Sequence, residues 1–516
     1  MATGPYEESD RIKLMMNENG KSDDPVVPEK SANKGSGQLL SAESMEERGS
    51  TEGKTRSQNK AQAQDWTTAL HQAAERLREY VVKHPHERLT TLWHHVYNPA
   101  SLKDAFASLK AGAAPGVDGE TRNAYAKNLD ERIEDLSGRL RSGAYRAKPT
   151  KRVYIPKADG RQRPLGIPAL EDKIVQKATT EILTPIYEHD FLGFSYGFRP
   201  GRGQHDALDA LSFGLTTKKV NWVLDADIRG FFDAIDHDWL IQFVEHRIAD
   251  QRVIRHLKKW LKAGILEDGN YRAQEEGTPQ GGIISPLLAN IYLHYVFDLW
   301  ANQWRDRKAK GDVIIVRYAD DFVVGFEHRH EAERFLKELR ERLAQFNLEL
   351  HPDKTRLIEF GRFAKDRRNR AGEGKPETFD FLGFTHACGE TRNGKFIVLR
   401  FTVAARMRRK LKEIYLQLKW RMHDPPQETG RWLARVLQGY YRYYGVPGYN
   451  IERLNSFWHH IRNFWKRTLA RRSDKGRILE ARMERLAALY MPRPKVYHEW
   501  PIERFSRRTQ GRSPVR

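Results

Sequence analysis

Short apolar runs with the spacing of β-strands alternate with helical patterns through the middle of the chain, over residues 151–390. The strand-like runs include "NWVLDADI", "VIIVRY" and "FVVGF", and the helical ones include "HDWLIQFVEHRIA" and "EAERFLKELRERLAQF". Strands of this kind between amphipathic helices are typical of mixed folds, in which helices cover a sheet. The pattern predicts an α/β or α+β body.

Beyond residue 400 the strand pattern stops and helical periodicity remains. Val403, Met407, Leu411, Ile414 and Leu418 recur three or four residues apart, which places one apolar stripe beneath a basic face. We therefore expect an all-α region after the mixed body.

The N-terminal part of the chain has a different composition. Residues 1–60 are rich in Ser, Gly, Glu, Lys and Asn, with too few apolar side chains to offset the entropy lost on ordering. A helical pattern begins in "DWTTALHQAAERLREYVVKH", and Gly and Pro break it in "LKAGAAPGVDGET". We predict a disordered leader over 1–60 and a helical extension over 61–150.

The excess of basic residues is concentrated at one end of the chain. The formal net charge is +21, and residues 401–516 contain 27 Lys and Arg against 9 Asp and Glu. A uniformly solvated surface would not concentrate charge in this way, so the pattern favours a nucleic acid partner. The single cysteine excludes an internal disulfide and a multi-cysteine zinc site. Because no apolar run approaches the ~18 residues of a membrane span, we expect a cytoplasmic protein without a membrane partner.

Acidic residues interrupt two of the apolar strands. In "NWVLDADI", strict alternation places Asp225 and Asp227 together on one face of the strand. "VIIVRY" and "FVVGF" predict a hairpin with Asp320 and Asp321 at its tip. Because Asp is an ordinary turn residue, the hairpin taken alone is also consistent with simple turn chemistry.

Convergence of these two elements would give the carboxylates a different meaning. Two unit charges ~4 Å apart repel by roughly 4 kcal/mol at an effective dielectric constant of about 20, so a cation has to compensate them. Oxygen ligands without His or Cys select a hard ion, and Mg²⁺ held by carboxylates and substrate phosphates fits best. A pair of such ions activates an attacking hydroxyl and stabilises a leaving pyrophosphate. The hypothesis is nucleotidyl transfer with two Mg²⁺ ions.

Several stretches, in their order along the chain, resemble the motifs of group II intron-encoded reverse transcriptases, the maturases of bacterial and organellar introns. The resemblance implies a right-hand polymerase fold, in which the fingers start within 61–150 and fingers and palm occupy 151–390, with an antiparallel sheet packed by helices. An all-α thumb, or domain X, would occupy 391–470, and a short basic DNA-binding segment 471–516. The stretches are "VYIPKADGRQRPLGIPALEDKIVQ", "FSYGFRPGRGQHDAL", "LDADIRGFF", "GTPQGGIISPLLANIYLH", "RYADDFVVG", "LELHPDKTRL" and "FDFLGF".

The resemblance also implies roles for individual residues. Asp227, Asp320 and Asp321 match the catalytic triad and its metal ligands, and the backbone carbonyl of Ile228 would complete one metal shell. Asp225 lies outside the motif, and direct chemistry at this residue is the less favoured alternative.

Nucleotide contacts follow from the same motifs. Lys157 and Arg163 match residues that grip the triphosphate, and Gln280 matches a side chain that contacts the incoming nucleotide. Phe232 matches the aromatic residue that excludes a ribose 2′-hydroxyl, with a packed core phenylalanine as the alternative. Lys354 matches a lysine that protonates pyrophosphate, a general-acid role for which a solvated lysine is the alternative.

Contacts with nucleic acid are expected mainly from basic residues of the C-terminal helices, with phosphates as their targets. Aromatic residues at helical spacing there are more typical of a core than of a stacking surface. The candidates are Arg199, Arg406, Arg408, Arg409, Lys410, Lys412, Arg442, Lys466, Arg467, Arg471 and Arg472.

The leading hypothesis is an RNA-directed DNA polymerase encoded by a bacterial group II intron and lacking an HNH endonuclease domain. It would bind the intron RNA, assist splicing and use dNTPs to copy the RNA into cDNA at a target DNA, during retrohoming. Nucleoid association is expected from the DNA partner, and the oligomeric state is left open. One alternative is a free-standing reverse transcriptase of phage defence, DNA repair or CRISPR spacer acquisition. A non-catalytic RNA-binding splicing chaperone is another.

Overall fold

A computed structural model describes residues 68–156, 162–267, 270–272, 277–278, 281–472 and 480–509. The leader predicted over 1–60 lies outside the described residues. No helix within the described ranges is long and apolar enough to cross a bilayer. The N-terminal helices are α1 (Thr68–Lys83), α2 (Trp93–Tyr97), α3 (Pro99–Ser108), α4 (Arg122–Tyr125) and α5 (Leu129–Ser142), with a 3₁₀ turn at Ala126–Asn128.

The first sheet has the strand order β2-β1-β4-β5. β1 pairs antiparallel with β2 and parallel with β4. Helix α6 (Leu170–Asp190) follows β2 and packs against α1 and α3. The strands are β1 (Thr150–Pro156), β2 (Gln162–Ile167), β4 (Ile265–Glu267) and β5 (Asn270–Arg272).

The central sheet is fully antiparallel and has the order β6-β7-β3-β8. Its two faces contribute to different cores because successive side chains of a strand alternate. Leu224 and Val324 pack in the core with the N-terminal helices, and Val223 and Val323 pack in the core with the C-terminal helices. The strands are β3 (Trp222–Asp227), β6 (Val313–Tyr318), β7 (Asp321–Phe326) and β8 (Arg356–Glu359).

Helices cover both faces of this sheet, which confirms the predicted α+β class. α7 packs against β6, and α12 packs against β3 and β7. Asp236 accepts a hydrogen bond from Trp239 N at 2.9 Å and so caps the start of α8. The helices are α7 (Gln204–Thr217), α8 (His237–Arg247), α9 (Gln251–Leu261), α10 (Ser285–Leu293), α11 (Leu299–Lys308), α12 (Arg329–Ala344) and α13 (Ala364–Arg370), with a 3₁₀ turn at Phe231–Asp233 and a π-helical turn at His294–Asp298.

A third sheet, of order β11-β10-β9, precedes the C-terminal helices. Its last strand lies within 391–470, so the prediction that this whole range is all-α is wrong at its start, where β11 pairs with β10. α14 packs against α16, α15 packs against α17, and α18 returns to pack against α7 beside the central sheet. The strands are β9 (Phe379–Phe381), β10 (Phe384–Glu390) and β11 (Phe396–Thr402), and the helices are α14 (Ala404–Trp420), α15 (Pro426–Tyr444), α16 (Asn450–Ala470), α17 (Glu480–Tyr490) and α18 (Pro501–Thr509).

Candidate active site

Three carboxylates that are distant in sequence lie together at one end of the central sheet. Asp227, the last residue of β3, is the register partner of Asp321, the first residue of β7. Asp320 stands beside them in the two-residue turn that joins β6 to β7. The arrangement follows from strand pairing, since antiparallel β3 and β7 end and begin at the same edge.

Mutual repulsion and loss of solvation disfavour ionisation of this group. Asp320 is half-buried, and burial together with the charge of Asp227 raises its pKa. Asp321 is exposed at the end of the sheet, yet its carboxylate lies where the surrounding protein desolvates it. This desolvation and the charges of Asp320 and Asp227 raise the pKa of Asp321 to about 8. Nearby positive charge would therefore stabilise the ionised form.

Lys354 supplies one such charge. Its Nζ lies 2.7 Å from Asp227 Oδ2, and 55% of its side-chain surface remains exposed. The lysine is brought there by the chain after Leu350, because His351 N donates to the Asp227 carbonyl at 2.8 Å. Lys354 is therefore an ion-pair partner of the site rather than a solvated surface lysine.

Asp225, two residues before Asp227 on the same strand, has a different partner. Arg356 of the neighbouring strand β8 lies 3.6 Å from its carboxylate and is also its register partner. Burial raises the pKa of Asp225 to about 6, although the positive charge of Arg356 opposes this effect. This pairing makes Asp225 a part of the β3–β8 contact.

The ligand set fits a hard divalent cation by its chemistry. The acidic groups at this edge offer carboxylate oxygens, and the raised pKa values of Asp320 and Asp321 reflect charge that a cation would neutralise. Within the described ranges, no group of three or more His, Cys, Asp or Glu side chains lies close enough together to hold a metal ion. The three carboxylates thus share one edge of the sheet without forming a complete set of metal ligands.

The loop that begins "GTPQGG" is fastened to the chain beyond β3. Gly277 N donates to the Ile235 carbonyl at 2.7 Å, and Thr278 N donates to the Phe232 carbonyl at 2.7 Å. A Cβ on Gly277, whose φ is +81°, would lie 2.8 Å from the Phe232 carbonyl oxygen, so only glycine permits this approach. Phe232 is half-buried and packs edge-on against the core residue Phe231, with ring centroids 5.5 Å apart. Phe231 is thus the core phenylalanine, and Phe232 retains an open surface.

The first sheet also reaches the carboxylates. Arg163 on β2 lies close enough for its charge to lower the pKa of Asp320 against the larger effect of burial. The backbone at Gly281 lies against β2, where a Cβ would be 2.7 Å from the Gly166 carbonyl oxygen. The two other predicted nucleotide contacts, Lys157 and Gln280, lie outside the described residues.

Comparison with known proteins agrees with this geometry. The sequence profile described as reverse transcriptase (RNA-dependent DNA polymerase) matches residues 155–386. Protein YkfC of Escherichia coli (strain K12) is 35% identical over 340 residues, which cover 58% of this chain and 89% of YkfC. The group II intron-encoded protein LtrA of Lactococcus lactis subsp. cremoris is 39% identical over 214 residues. The chain belongs to the group II intron-encoded reverse transcriptases.

The shared length differs among these relatives. The LtrA alignment covers 40% of this reverse transcriptase and 35% of LtrA. A 91 kDa protein in the cob intron of Schizosaccharomyces pombe is 40% identical over 181 residues, or 35% of this chain and 22% of that protein. The chain thus spans most of YkfC and about a third or less of the two intron proteins.

Arg199 is not available to nucleic acid in this reverse transcriptase, which corrects its prediction as a contact. Its side chain is 1% exposed and forms an ion pair with Glu188 at 2.9 Å. It also donates to the carbonyls of Leu192 and Ser195, at 2.7 and 2.9 Å. Arg199 therefore fixes the chain after α6, because its buried guanidinium is bound to these acceptors.

The predicted contacts in the C-terminal helices are mostly exposed. Arg406, Arg408, Arg409 and Lys412 form an exposed face of α14. Arg442, Arg467 and Arg471 are also exposed. Several candidates have protein partners, among them Lys410 with Glu413, Lys466 with Glu480, Arg472 with the Asp424 carbonyl, and Arg471 with Tyr415. The α14 face remains the strongest candidate for contacts with phosphates.

The basic segment over 471–516 does not extend freely from the fold where it is described. Met483 and Phe505 are buried in the same core as the preceding helices. Arg504 of α18 pairs with Asp206 at 2.9 Å and also with Asp209, both on α7. Part of the positive charge that predicted DNA binding thus neutralises buried carboxylates of the enzyme itself.

Arg317, two residues before Ala319 of the β6–β7 turn, is not among the residues predicted from the sequence. Its side chain is fully buried and touches the turn. The signal was present, since Arg317 is the one charged residue of "VIIVRY", a strand whose other members are apolar or aromatic. A charge in such a strand requires a buried partner.

Proposed function

We propose that this reverse transcriptase copies the RNA of its own group II intron into cDNA at a DNA target and assists the splicing of that RNA. The observation that carries the proposal is the register of Asp227 with Asp321, beside Asp320 in the connecting turn. Such a group of carboxylates has a clear use in nucleotidyl transfer, where charge develops on both sides of the reacting phosphate.

Asp227, Asp320 and Asp321, with the backbone carbonyl of Ile228, would hold two Mg²⁺ ions. When bound, these ions supply charge that activates the primer hydroxyl and stabilises the leaving pyrophosphate. Lys354, now paired with Asp227, would donate a proton to the leaving pyrophosphate once that carboxylate has another cation.

Nucleotide binding would involve the first sheet and the central sheet. Arg163 offers a guanidinium fork near Asp320 to the triphosphate, and we propose Lys157 and Gln280 as further contacts. The open surface of Phe232 would face the sugar and exclude a ribose 2′-hydroxyl. These roles select dNTPs.

The described helices after residue 404 would form the thumb, or domain X. The exposed basic face of α14 would follow the phosphates of the intron RNA and its cDNA duplex without reading their sequence. We retain a role in target DNA binding only for those basic residues of the C-terminal segment that are not paired within the fold.

Primer extension tests this function. The wild-type enzyme should extend a DNA primer on an RNA template with dNTPs and Mg²⁺. Asp320→Asn should abolish extension, because an amide cannot supply the negative charge that the cation requires, and should leave intron RNA binding unchanged. Asp366→Asn, at an exposed position of α13, is the matched control and should extend normally.

The outcomes separate the alternatives. A protein that promotes splicing but extends no primer would be a splicing chaperone. Extension with no preference for intron RNA over an unrelated RNA of equal length would indicate a free-standing polymerase.

A further inference from the structure

Arg317 lies in β6, and all five N–H groups of its buried guanidinium have acceptors. Nε and Nη2 donate to the two carboxylate oxygens of Asp298, at 2.7 and 2.5 Å. Nη1 donates to Asn290 Oδ1 at 3.0 Å and to the Ala319 carbonyl at 2.9 Å. Nη2 also donates to Ser195 Oγ at 2.7 Å. The planar fork of an arginine can satisfy this set, and a lysine ammonium cannot.

The contact with Ala319 connects this network to the turn Ala319–Asp320 between β6 and β7, called the catalytic turn below. Ala319 has a φ of +57°, a conformation that alanine keeps only when its surroundings impose it. Arg317 binds the Ala319 carbonyl on one side. On another, the backbone of Gly197 lies so close that a Cβ there would collide with Ala319 N. Tertiary contacts, not local preference, therefore hold the turn that carries Asp320 and Asp321.

The neighbours of Arg317 are themselves fixed. Asn290 donates through Nδ2 to the Gly197 carbonyl at 2.7 Å, which ties the two supports together. Tyr196 N donates to the Arg317 carbonyl and Arg317 N donates to the Phe194 carbonyl, each at 2.9 Å. The segment around Gly197 thus runs beside β6 like a short extra strand.

The acidic partner comes from an irregular part of the neighbouring helix. Asp298 is the last residue of the π-helical turn His294–Asp298, between α10 and α11, and its side chain is fully buried. Single π-helical turns are frequent at functional sites, because the extra residue redirects the side chains that follow.

We infer that Arg317 is a positioning residue of the polymerase. Through the Ala319 carbonyl it sets the place of Asp320 and Asp321, and Asp298 and Asn290 orient the guanidinium for this task. The inference rests on the proposed polymerase function. A core ion pair without this role would contribute stability alone, and the two roles predict different kinetics.

Arg317→Lys tests the inference because lysine keeps the charge opposite Asp298 but loses the fork. Arg342→Lys is the matched control. Arg342 is also buried and donates to the carbonyls of Val296 and Tyr295 in the same π-helical turn, both at 3.0 Å, without reaching the catalytic turn. The measurements are the melting temperature, the rate and dNTP KM of single-nucleotide incorporation, and Mn²⁺ binding followed by EPR without nucleotide.

Both variants should melt at a lower temperature. Arg317→Lys alone should incorporate at least about tenfold more slowly at saturating dNTP, since a ~1 Å displacement of reacting groups can cost about 100-fold. Its KM should stay within about twofold of wild type, and its Mn²⁺ affinity should fall. Arg342→Lys, assayed where it is folded, should keep the wild-type rate and Mn²⁺ affinity.

Equal slowing of the two variants, or a wild-type rate in Arg317→Lys, would overturn the inference while leaving the polymerase function intact. A wild-type protein that extends no primer would instead remove the proposed function. If Arg317→Lys does not fold, Ser195→Ala decides. Loss of its hydrogen bond to Arg317 should slow incorporation about threefold and lower the melting temperature only slightly, and an unchanged rate refutes the positioning role.

Discussion

Replacing Phe505 by alanine should loosen the terminal helix α18 from the fold and impair polymerisation itself. Phe505 is 3% exposed and stacks on Phe213 of α7, with ring centroids 4.6 Å apart. Truncating a buried phenylalanine to alanine costs about 3–5 kcal/mol. We expect the lower end of this range, because most side chains of α18 are exposed or half-buried and the helix can open and admit water. A loss of about 3 kcal/mol corresponds to roughly a 150-fold change in the equilibrium for docking of the helix.

The consequence for catalysis follows from the neighbours of α18. It packs against α7, and α7 packs against β6, the strand that leads into the catalytic turn. Hydrogen exchange of the α18 amides measures docking, and primer extension on a primed RNA without a DNA target measures catalysis. Ile502→Ala is the matched control on the same helix. Ile502 is 42% exposed, so its truncation should change stability by less than about 0.5 kcal/mol and leave extension unchanged.

A different pattern would refute this reasoning. If Phe505→Ala exchanged its α18 amides and extended the primer as the wild type does, while losing affinity for a DNA duplex, the segment would act as the DNA-binding element that the sequence predicts. The burial of its side chains would then have no bearing on polymerisation.

Three further predictions concern Arg199, Lys354 and Phe232. Arg199→Ala should destabilise the fold by about 3 kcal/mol in thermal or denaturant unfolding, because it leaves a buried ion pair without its cation. Arg408→Ala, on the exposed face of α14, should instead weaken RNA binding at low salt and leave stability unchanged. The reverse result would restore Arg199 as a contact with nucleic acid. Without divalent ions, Lys354→Met should lower the free energy of unfolding by at most about 1 kcal/mol, since the lysine is half exposed, and the melting temperature should fall accordingly. Added Mg²⁺ should reduce the difference in melting temperature between variant and wild type. The same difference at every Mg²⁺ concentration would contradict the role of Lys354 as a local counter-ion. Phe232→Val should increase incorporation of ribonucleotides relative to deoxynucleotides in single-turnover assays, and unchanged discrimination would leave Phe232 as a packing residue.

Local patterns in the sequence were sufficient for the strands that carry the carboxylates. The alternation around Asp227 and the turn at Asp320 depend only on neighbours along the chain, since a strand has a period of two residues. Their convergence was a hypothesis that strand pairing supports, with Asp227 opposite Asp321. The family resemblance is confirmed by the comparisons, because its motifs combine many such local patterns in one order.

The arginines show where such patterns stop. Arg199, Arg317 and Arg504 resemble any other basic residue in the sequence, yet each is bound to a carboxylate inside the fold. Net charge could not separate them from the exposed basic face of α14. Whether an arginine binds phosphate or stabilises the protein depends on which acid lies beside it, and that acid is often far away in the chain.

By itself, the sequence determined the succession of strands and helices, the acidic residues at the end of β3 and in the β6–β7 turn, and the chemistry that such residues serve. Only the tertiary structure decided that Lys354 faces Asp227, that Arg317 supports the turn from within, and that α18 folds back onto α7. The reason is physical. Secondary structure and residue chemistry arise from neighbours along the chain, whereas ion pairing, burial and the position of a strained turn depend on groups that meet only when the chain has folded.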